Sequence, residues 1–231
     1  MAGRCLLYYI TDRKQFRGDE PARRRALLAK IAEAACSGVD YIQLREKDLS
    51  TRDLETLAHE AVAAVRENQL ATDHRPLTTR VLINSRTDIA LATGADGVHL
   101  RSKDVSPEDV RRIWSLCGAG ALAREKAWIA VSCDSRGDVD RAHAQSANFA
   151  VFAPVFEKRS LERNGQRATV QPAGLAALRE ACLTNIPVLA LGGVTLANAS
   201  SCLEAGAAGI AAIRLFQENK IEDVVRALRA L

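Results

Sequence analysis

The segment YIQLREKD (41–48) brings an amide, a guanidinium and an ammonium, Gln43, Arg45 and Lys47, to the end of an apolar run. Arg45 offers a planar fork of donors and Lys47 a mobile point charge, a pairing suited to a phosphate or a diphosphate. Gln43 lies two residues before Arg45 and four before Lys47, so all three project to one side if strand geometry persists. A solvated charge run opening a helix, with Glu46 and Asp48 neutralising their neighbours, accounts for the same residues. Spacing alone does not separate these readings.

A second candidate is LALGGVTLANAS (189–200), where an apolar run meets Gly192 and Gly193 and Asn198 stands near the start of a helix. Paired glycines let backbone amides face a ligand, and a following helix N-terminus adds positive field. The competing account is a turn that needs positive φ. Asn84 ends the apolar run VLIN as an amide in need of partners. Asp104 is read either as a metal ligand or as a surface acid before a helix. His99, inside GVHL, fits the interior or wall of a barrel, whereas His59, His74 and His143 fall on helices or a loop. Cys133 stands at a run's end beside Asp134 with no His in evident reach, a poor nucleophile setting.

Short apolar runs carry these residues: 6–10, 41–44, 81–84, 97–100, 128–132, 149–153, 187–191 and 209–213. Between them lie Ala-, Arg-, Glu- and Leu-rich stretches with helical spacing. Ser50–Thr51 and Ser106–Pro107–Glu108 supply helix-start chemistry. One phrase recurs, small residues and Gly, an often acidic residue, then a strand: CSGVDYIQL, ATGADGVHL, EAGAAGIAAI, with Asn in the acidic slot of AQSANFAVFA. Each copy reads as the joint from a helix cap into a buried parallel strand. Eight such units without a linker predict an α/β fold, a single (β/α)8 TIM barrel spanning 1–231. A doubly wound open sheet is the alternative, but YYITDRKQF lacks a Gly-rich nucleotide turn. In a barrel the active site lies at the C-terminal ends of the strands, where the candidate residues fall.

With 231 residues, 48% apolar but only 4% aromatic, the core must be built chiefly from Ala, Val, Leu and Ile. A net charge of +4 from 32 basic and 28 acidic residues is interspersed, which argues against nucleic acid and leaves room for a local pocket for a phosphorylated small molecule. The six cysteines show no zinc spacing, and a reducing cytoplasm is the expected compartment. Neither a signal peptide nor a membrane span is expected. A homo-oligomer is compatible with the sequence.

Together YYITDR, YIQLREKD, VLINSRTDIALATGADGVHLRSKDVSP, VSCDS, FAVFAPVFEK, IPVLALGGV and AGAAGIAAIRLF resemble the thiamin phosphate synthase family, TenI-type branch included, from about residue 6 onward. The resemblance implies a (β/α)8 barrel that joins hydroxymethylpyrimidine diphosphate to thiazole phosphate. Diphosphate departs first, and the thiazole nitrogen captures the pyrimidine cation. It assigns diphosphate and pyrimidine contacts to Gln43, Arg45, Lys47 and Asn84, and a contact near the diphosphate to Ser132. Asp104 becomes an Mg2+ ligand. Gly192 and Gly193 bind the thiazole phosphate, with the backbone around Ile213 and Arg214. The catalytic set it implies is Arg45, Lys47, Ser132 and Lys158, the last standing with Arg159 and Ser160 for a Thr- and Lys-bearing loop. The chain departs from the synthase pattern at Ser85, where an acidic residue is usual, and at Arg214, where Ser is usual. Asp134 takes the slot of a His common to both branches. Pro154 replaces the His of the tautomerase pattern. Two other readings follow: a TenI-type protein acting on a thiazole phosphate, with Cys133 or Lys158 moving protons, and a barrel that binds such a phosphate without catalysis.

Overall fold

The computed structural model describes residues 4–70, 78–117, 126–157 and 171–231. Eight parallel strands close into a barrel in sequence order, which excludes the open sheet. They are β1 (Leu6–Ile10), β2 (Tyr41–Leu44), β3 (Arg80–Asn84), β4 (Gly97–Leu100), β5 (Trp128–Cys133), β6 (Phe149–Phe152), β7 (Val188–Leu191) and β8 (Gly209–Ala212). Closure is made by β1 against β8, with Leu6 opposite Gly209 and Tyr8 opposite Ala211. Around the barrel lie α1 (Glu20–Cys36), α2 (Thr51–Leu70), α3 (Thr87–Thr93), α4 (Pro107–Cys117), α5 (Arg136–Ala144), α6 (Gly174–Ala181), α7 (Ala199–Glu204), α8 (Arg214–Gln217) and α9 (Ile221–Arg229). Pro187 has no N–H to give the ladder, so β7 begins one residue later than its apolar run. Among the described residues no helix is long and apolar enough to cross a membrane.

The recurring acid at the helix-to-strand joint has a structural cause. Asp40 accepts the Leu7 N–H at 2.7 Å, Asp96 the Val81 N–H at 2.7 Å, and Asn148 the Ile129 N–H at 2.9 Å. Each carboxylate or amide reaches across to the first residues of the preceding strand and satisfies a donor at the foot of the barrel. Helix starts follow the expected chemistry: the hydroxyls of Ser50 and Ser106 accept the amides of Asp53 and Asp109 at 3.1 Å each.

Strand parity divides the core in two. Outward residues such as Leu7, Ile42, Val81, Val98 and Ile129 pack against the helices in the largely aliphatic layer that composition predicts. The lumen differs from that expectation. Its packed interior contains Tyr8, Tyr41 and Phe149 beside Ile10, Leu82, Ala130, Val151, Leu189 and Ala211, with Trp128 at its edge. Tyr8 meets both Tyr41 and Phe149 edge-on, with centroids 5.9 and 5.5 Å apart. Tyr8, Tyr41 and Phe149 fill the lumen and form the floor beneath the site, whereas Tyr9, Trp114, Phe152 and Phe216 pack in the helix-facing layer.

Candidate active site

Inward parity carries Gln43, Asn84, His99 and Ser132 from the upper ends of β2 to β5 into one arc of the barrel mouth. The Gln43 amide donates to Asn84 Oδ1 at 2.9 Å, and Asn84 Nδ2 donates to Ser85 Oγ at 3.2 Å. Ser85 sits in the left-handed region at φ 59°, an uncommon place for a residue with a Cβ. Its amide bonds the His99 carbonyl at 2.9 Å, and its hydroxyl bonds Asp104. Lower in the lumen, His99 joins two hydroxyls: Tyr8 at 3.0 Å on Nδ1 and Ser132 at 2.7 Å on Nε2.

The charge run after β2 is sorted in an unexpected way. Glu46 and Asp48 form no ion pair with Arg45 among the described residues. Both turn instead to Arg13, just beyond β1. Asp48 grips the Arg13 guanidinium with two parallel bonds of 2.7 and 2.9 Å. Glu46, buried, accepts from Arg13 Nη1 at 3.1 Å, from the Arg13 backbone amide and from Thr11 Oγ1 at 2.7 Å. Glu20 adds a bond of 2.6 Å to Arg13 Nε. Burial pushes the Glu46 carboxyl up, against the Thr11 and Arg13 bonds, whereas Arg13 holds that of Asp48 well below the usual carboxylate range.

Arg45 is therefore left with its own charge. Its amide is pinned to Thr11 Oγ1 at 3.0 Å, and among the described residues its guanidinium forms no ion pair. Burial lowers its pKa and nearby Arg101 pushes the same way, against Asp12 and Glu46. A half-desolvated guanidinium in this setting gains most from a bound anion. Lys47 differs from the one-sided projection. The strand ends at Leu44, and Lys47 falls in the exposed turn before α2, on the rim.

Across the mouth, β7 runs into Gly192 and Gly193 at φ 99° and 67°. A Cβ on Gly192 would lie 2.8 Å from Pro154 Cα, and one on Gly193 2.7 Å from the Glu157 carbonyl oxygen. Both glycines are thus required by backbone conformation and by close approach of the segment after β6. Asn198 braces the turn, accepting from Thr195 N at 2.7 Å and donating to the Gly193 carbonyl at 3.1 Å. Ile213 and Arg214 follow β8 on the same side. Ring order sets this β7–β8 arc opposite the β3–β4 part of the first.

Several candidates change standing. Cys133 is buried and faces the helix layer; burial, with Asp138 and Asp134, pushes its thiol up to about 12, so it is no proton carrier for the lumen. Lys158, Arg159 and Ser160 lie outside the described residues. Thr11 is scaffolding, fully buried beneath Glu46 and Arg45. Sequence reasoning missed Arg13, Tyr8 and Arg101. Parity with Ile10 would have pointed to Tyr8, and the i, i+3 spacing to Asp104 would have pointed to Arg101.

Asp104 bears on the metal expectation. One oxygen accepts from Arg101 Nη2 at 2.9 Å and Nε at 3.2 Å, and the other from the Arg101 amide at 2.8 Å. Burial raises its pKa, but the Arg101 and Ser85 bonds outweigh this and leave it below the ordinary carboxylate value. Among the described residues no group of three or more His, Cys, Asp or Glu could hold a metal ion. As arranged, this single and occupied carboxylate does not fit Mg2+ unless Arg101 moves away.

Residues 7–216 match the family described as thiamine monophosphate synthase. The chain belongs to that family. A provisionally named thiamine-phosphate synthase of Geobacter sulfurreducens is 41% identical over 97% of this chain and 93% of its own length. The thiamine-phosphate synthase of Methanoculleus marisnigri is 36% identical, covering 96% and 93%. Among solved structures, a thiamine phosphate pyrophosphorylase from Pyrococcus furiosus superposes with a TM-score of 0.73 at 25% identity, over 97% of this chain and 94% of that one. Within this thiamine monophosphate synthase family frame, the polar arc and the Gly-Gly arc occupy the face where the barrel fold builds active sites.

Proposed function

We propose that the protein makes thiamin phosphate by condensing hydroxymethylpyrimidine diphosphate with thiazole phosphate. The observation that carries this reading is the diversion of Glu46 and Asp48 to Arg13, which leaves Arg45 without an ion pair among the described residues just past the strand that carries Gln43, its charge felt by His99 in the lumen. Family membership and relatives named as synthases support the same reaction.

In this reading the amides of Gln43 and Asn84 orient the pyrimidine. Arg45 and Ser132 meet the diphosphate, with Lys47 on the rim. As the carbon–oxygen bond breaks, the bonding pair leaves with the diphosphate, whose growing charge these donors offset. The thiazole nitrogen then gives its lone pair to the pyrimidine methylene carbon. Gly192 and Gly193, with the backbone at Ile213 and Arg214, hold the thiazole phosphate across the mouth. That placement sets the nucleophile opposite the leaving group.

Incubating the protein with both substrates and following thiamin phosphate tests the reaction. Binding of thiazole phosphate without turnover would instead support the non-catalytic reading. Arg45→Ala is expected to weaken inorganic diphosphate binding by about 2–3 kcal/mol, roughly 30- to 150-fold in Kd by calorimetry. Unchanged affinity would return Arg45 to the solvated charge run.

Charge at the Asp104 end is supplied by Arg101. Arg101→Ala is expected to make diphosphate binding depend on Mg2+, with affinity falling about tenfold in EDTA and recovering in Mg2+. The unaltered protein should show a smaller response. Equal dependence in both proteins would show that Mg2+ already holds this position.

A further inference from the structure

The lumen contains a buried polar chain, Tyr8–His99–Ser132, of which the proposed reaction uses only the last member. Tyr8 is fully buried in the lumen cluster, against the rings of Tyr41, Phe149 and His99. Its hydroxyl meets His99 Nδ1 at 3.0 Å, and the opposite ring nitrogen meets Ser132 Oγ at 2.7 Å. Two proton arrangements satisfy these distances, and burial distinguishes them. If Nδ1 carried the proton, the buried Tyr8 O–H would lose the one acceptor it has among the described residues, a costly state. If Tyr8 donates to Nδ1, the proton resides on Nε2 and is donated to Ser132 Oγ. Every group is then satisfied, and the Ser132 hydroxyl proton stays available to point out of the lumen.

We infer that Tyr8 and His99 are positioning residues that fix Ser132 as a hydrogen-bond donor toward the departing diphosphate. This rests on the synthase reading of the site. The other tautomer would spend the serine proton on the imidazole and turn a lone pair toward the anion. His99 is suited to this duty because it stays neutral. Burial, then the Arg45 charge, holds its pKa down at about 3, with Asp104 opposing, so it does not become a donor on both sides at working pH. Serine supplies the donor, histidine selects its direction, and tyrosine selects the histidine tautomer.

Two-bond proton–nitrogen NMR of histidine-labelled protein reads the tautomer directly, with His99→Gln assigning the signals. The expected result is Nε2–H in the unaltered protein, and a new Nδ1–H population in Tyr8→Phe. Kinetically, Tyr8→Phe should lower kcat about 3- to 10-fold and His99→Leu about 10- to 100-fold, with KM for the pyrimidine diphosphate within about 3-fold. His99→Gln, whose amide can donate to Ser132, should recover most of kcat. An Nδ1–H tautomer in the unaltered protein would overturn the inference, as would a folded His99→Leu with normal kcat. If the unaltered protein makes no thiamin phosphate, the synthase reading falls instead. Inorganic diphosphate affinity then decides the relay: His99→Leu should weaken it as much as Ser132→Ala does, and no weakening would overturn the relay.

Discussion

Arg13→Met is expected to lower the unfolding free energy by about 3–5 kcal/mol, because it strands the Glu46 carboxylate in the protein interior. Glu46 has a side-chain exposure of 1% and Arg13 one of 4%, so water cannot replace the lost partner without opening the joint between β1 and β2. Thr11 and the residue-13 amide would still bond Glu46, but neither carries charge. Urea unfolding measures the loss as a lower midpoint at constant slope. The companion Arg13→Met with Glu46→Leu should recover much of it, since removing both charges also removes their desolvation cost. If the double variant were no more stable than the single one, the buried pair would not be the origin. The same change reaches function, because Glu46 and Thr11 hold the backbone from which Arg45 projects. Diphosphate binding should therefore weaken in the folded fraction of Arg13→Met although Arg13 is directed at Asp48, Glu46 and Glu20 and not at the ligand.

Acid should destabilise the protein through His99. Its pKa is depressed to about 3 in the folded chain, chiefly by burial and then by Arg45. An unfolded histidine titrates near 6.5. Between these values the unfolded state binds the extra proton, so stability rises with pH through that window. The contribution is fully present above about pH 6.5 and is lost as pH falls toward 3. The loss is about 2 kcal/mol at pH 5 and about 3 kcal/mol at pH 4 relative to neutral pH. Comparing urea midpoints of the unaltered protein and His99→Gln from pH 7 to pH 4 isolates this residue from the carboxylates. The two curves should converge as pH falls. Parallel curves would mean that His99 titrates normally and is more open to water than its setting in the lumen implies.

Both results concern residues whose sequence context said little about their partners. YIQLREKD announced a cationic strand end, and apolar runs at regular intervals announced the barrel that carries it. The acid in CSGVD and ATGAD announced a joint, although not the strand amide that each carboxylate caps. These features are legible because each depends on contiguous residues: alternation in a strand, a hydroxyl before a helix, glycines where φ must be positive. The shared projection of Gln43, Arg45 and Lys47 required strand geometry to persist, and the strand ends at Leu44. The lumen's aromatics were missed because composition does not reveal which face of the sheet a few large side chains share.

By itself, then, the sequence determined a (β/α)8 barrel of this family and the polar residues at its mouth. It left even odds on whether Arg45 was a clamp or a solvated charge. Tertiary structure added what bears on that question by bringing Arg13 from the end of β1 to Glu46 and Asp48 at the end of β2, more than thirty residues away. It also placed Tyr8 of β1 beside His99 of β4, across the lumen. The reason is physical. Charge pairing and proton direction depend on which groups closure of the barrel buries together, and burial makes an unpaired charge or an unmet hydroxyl too costly to leave.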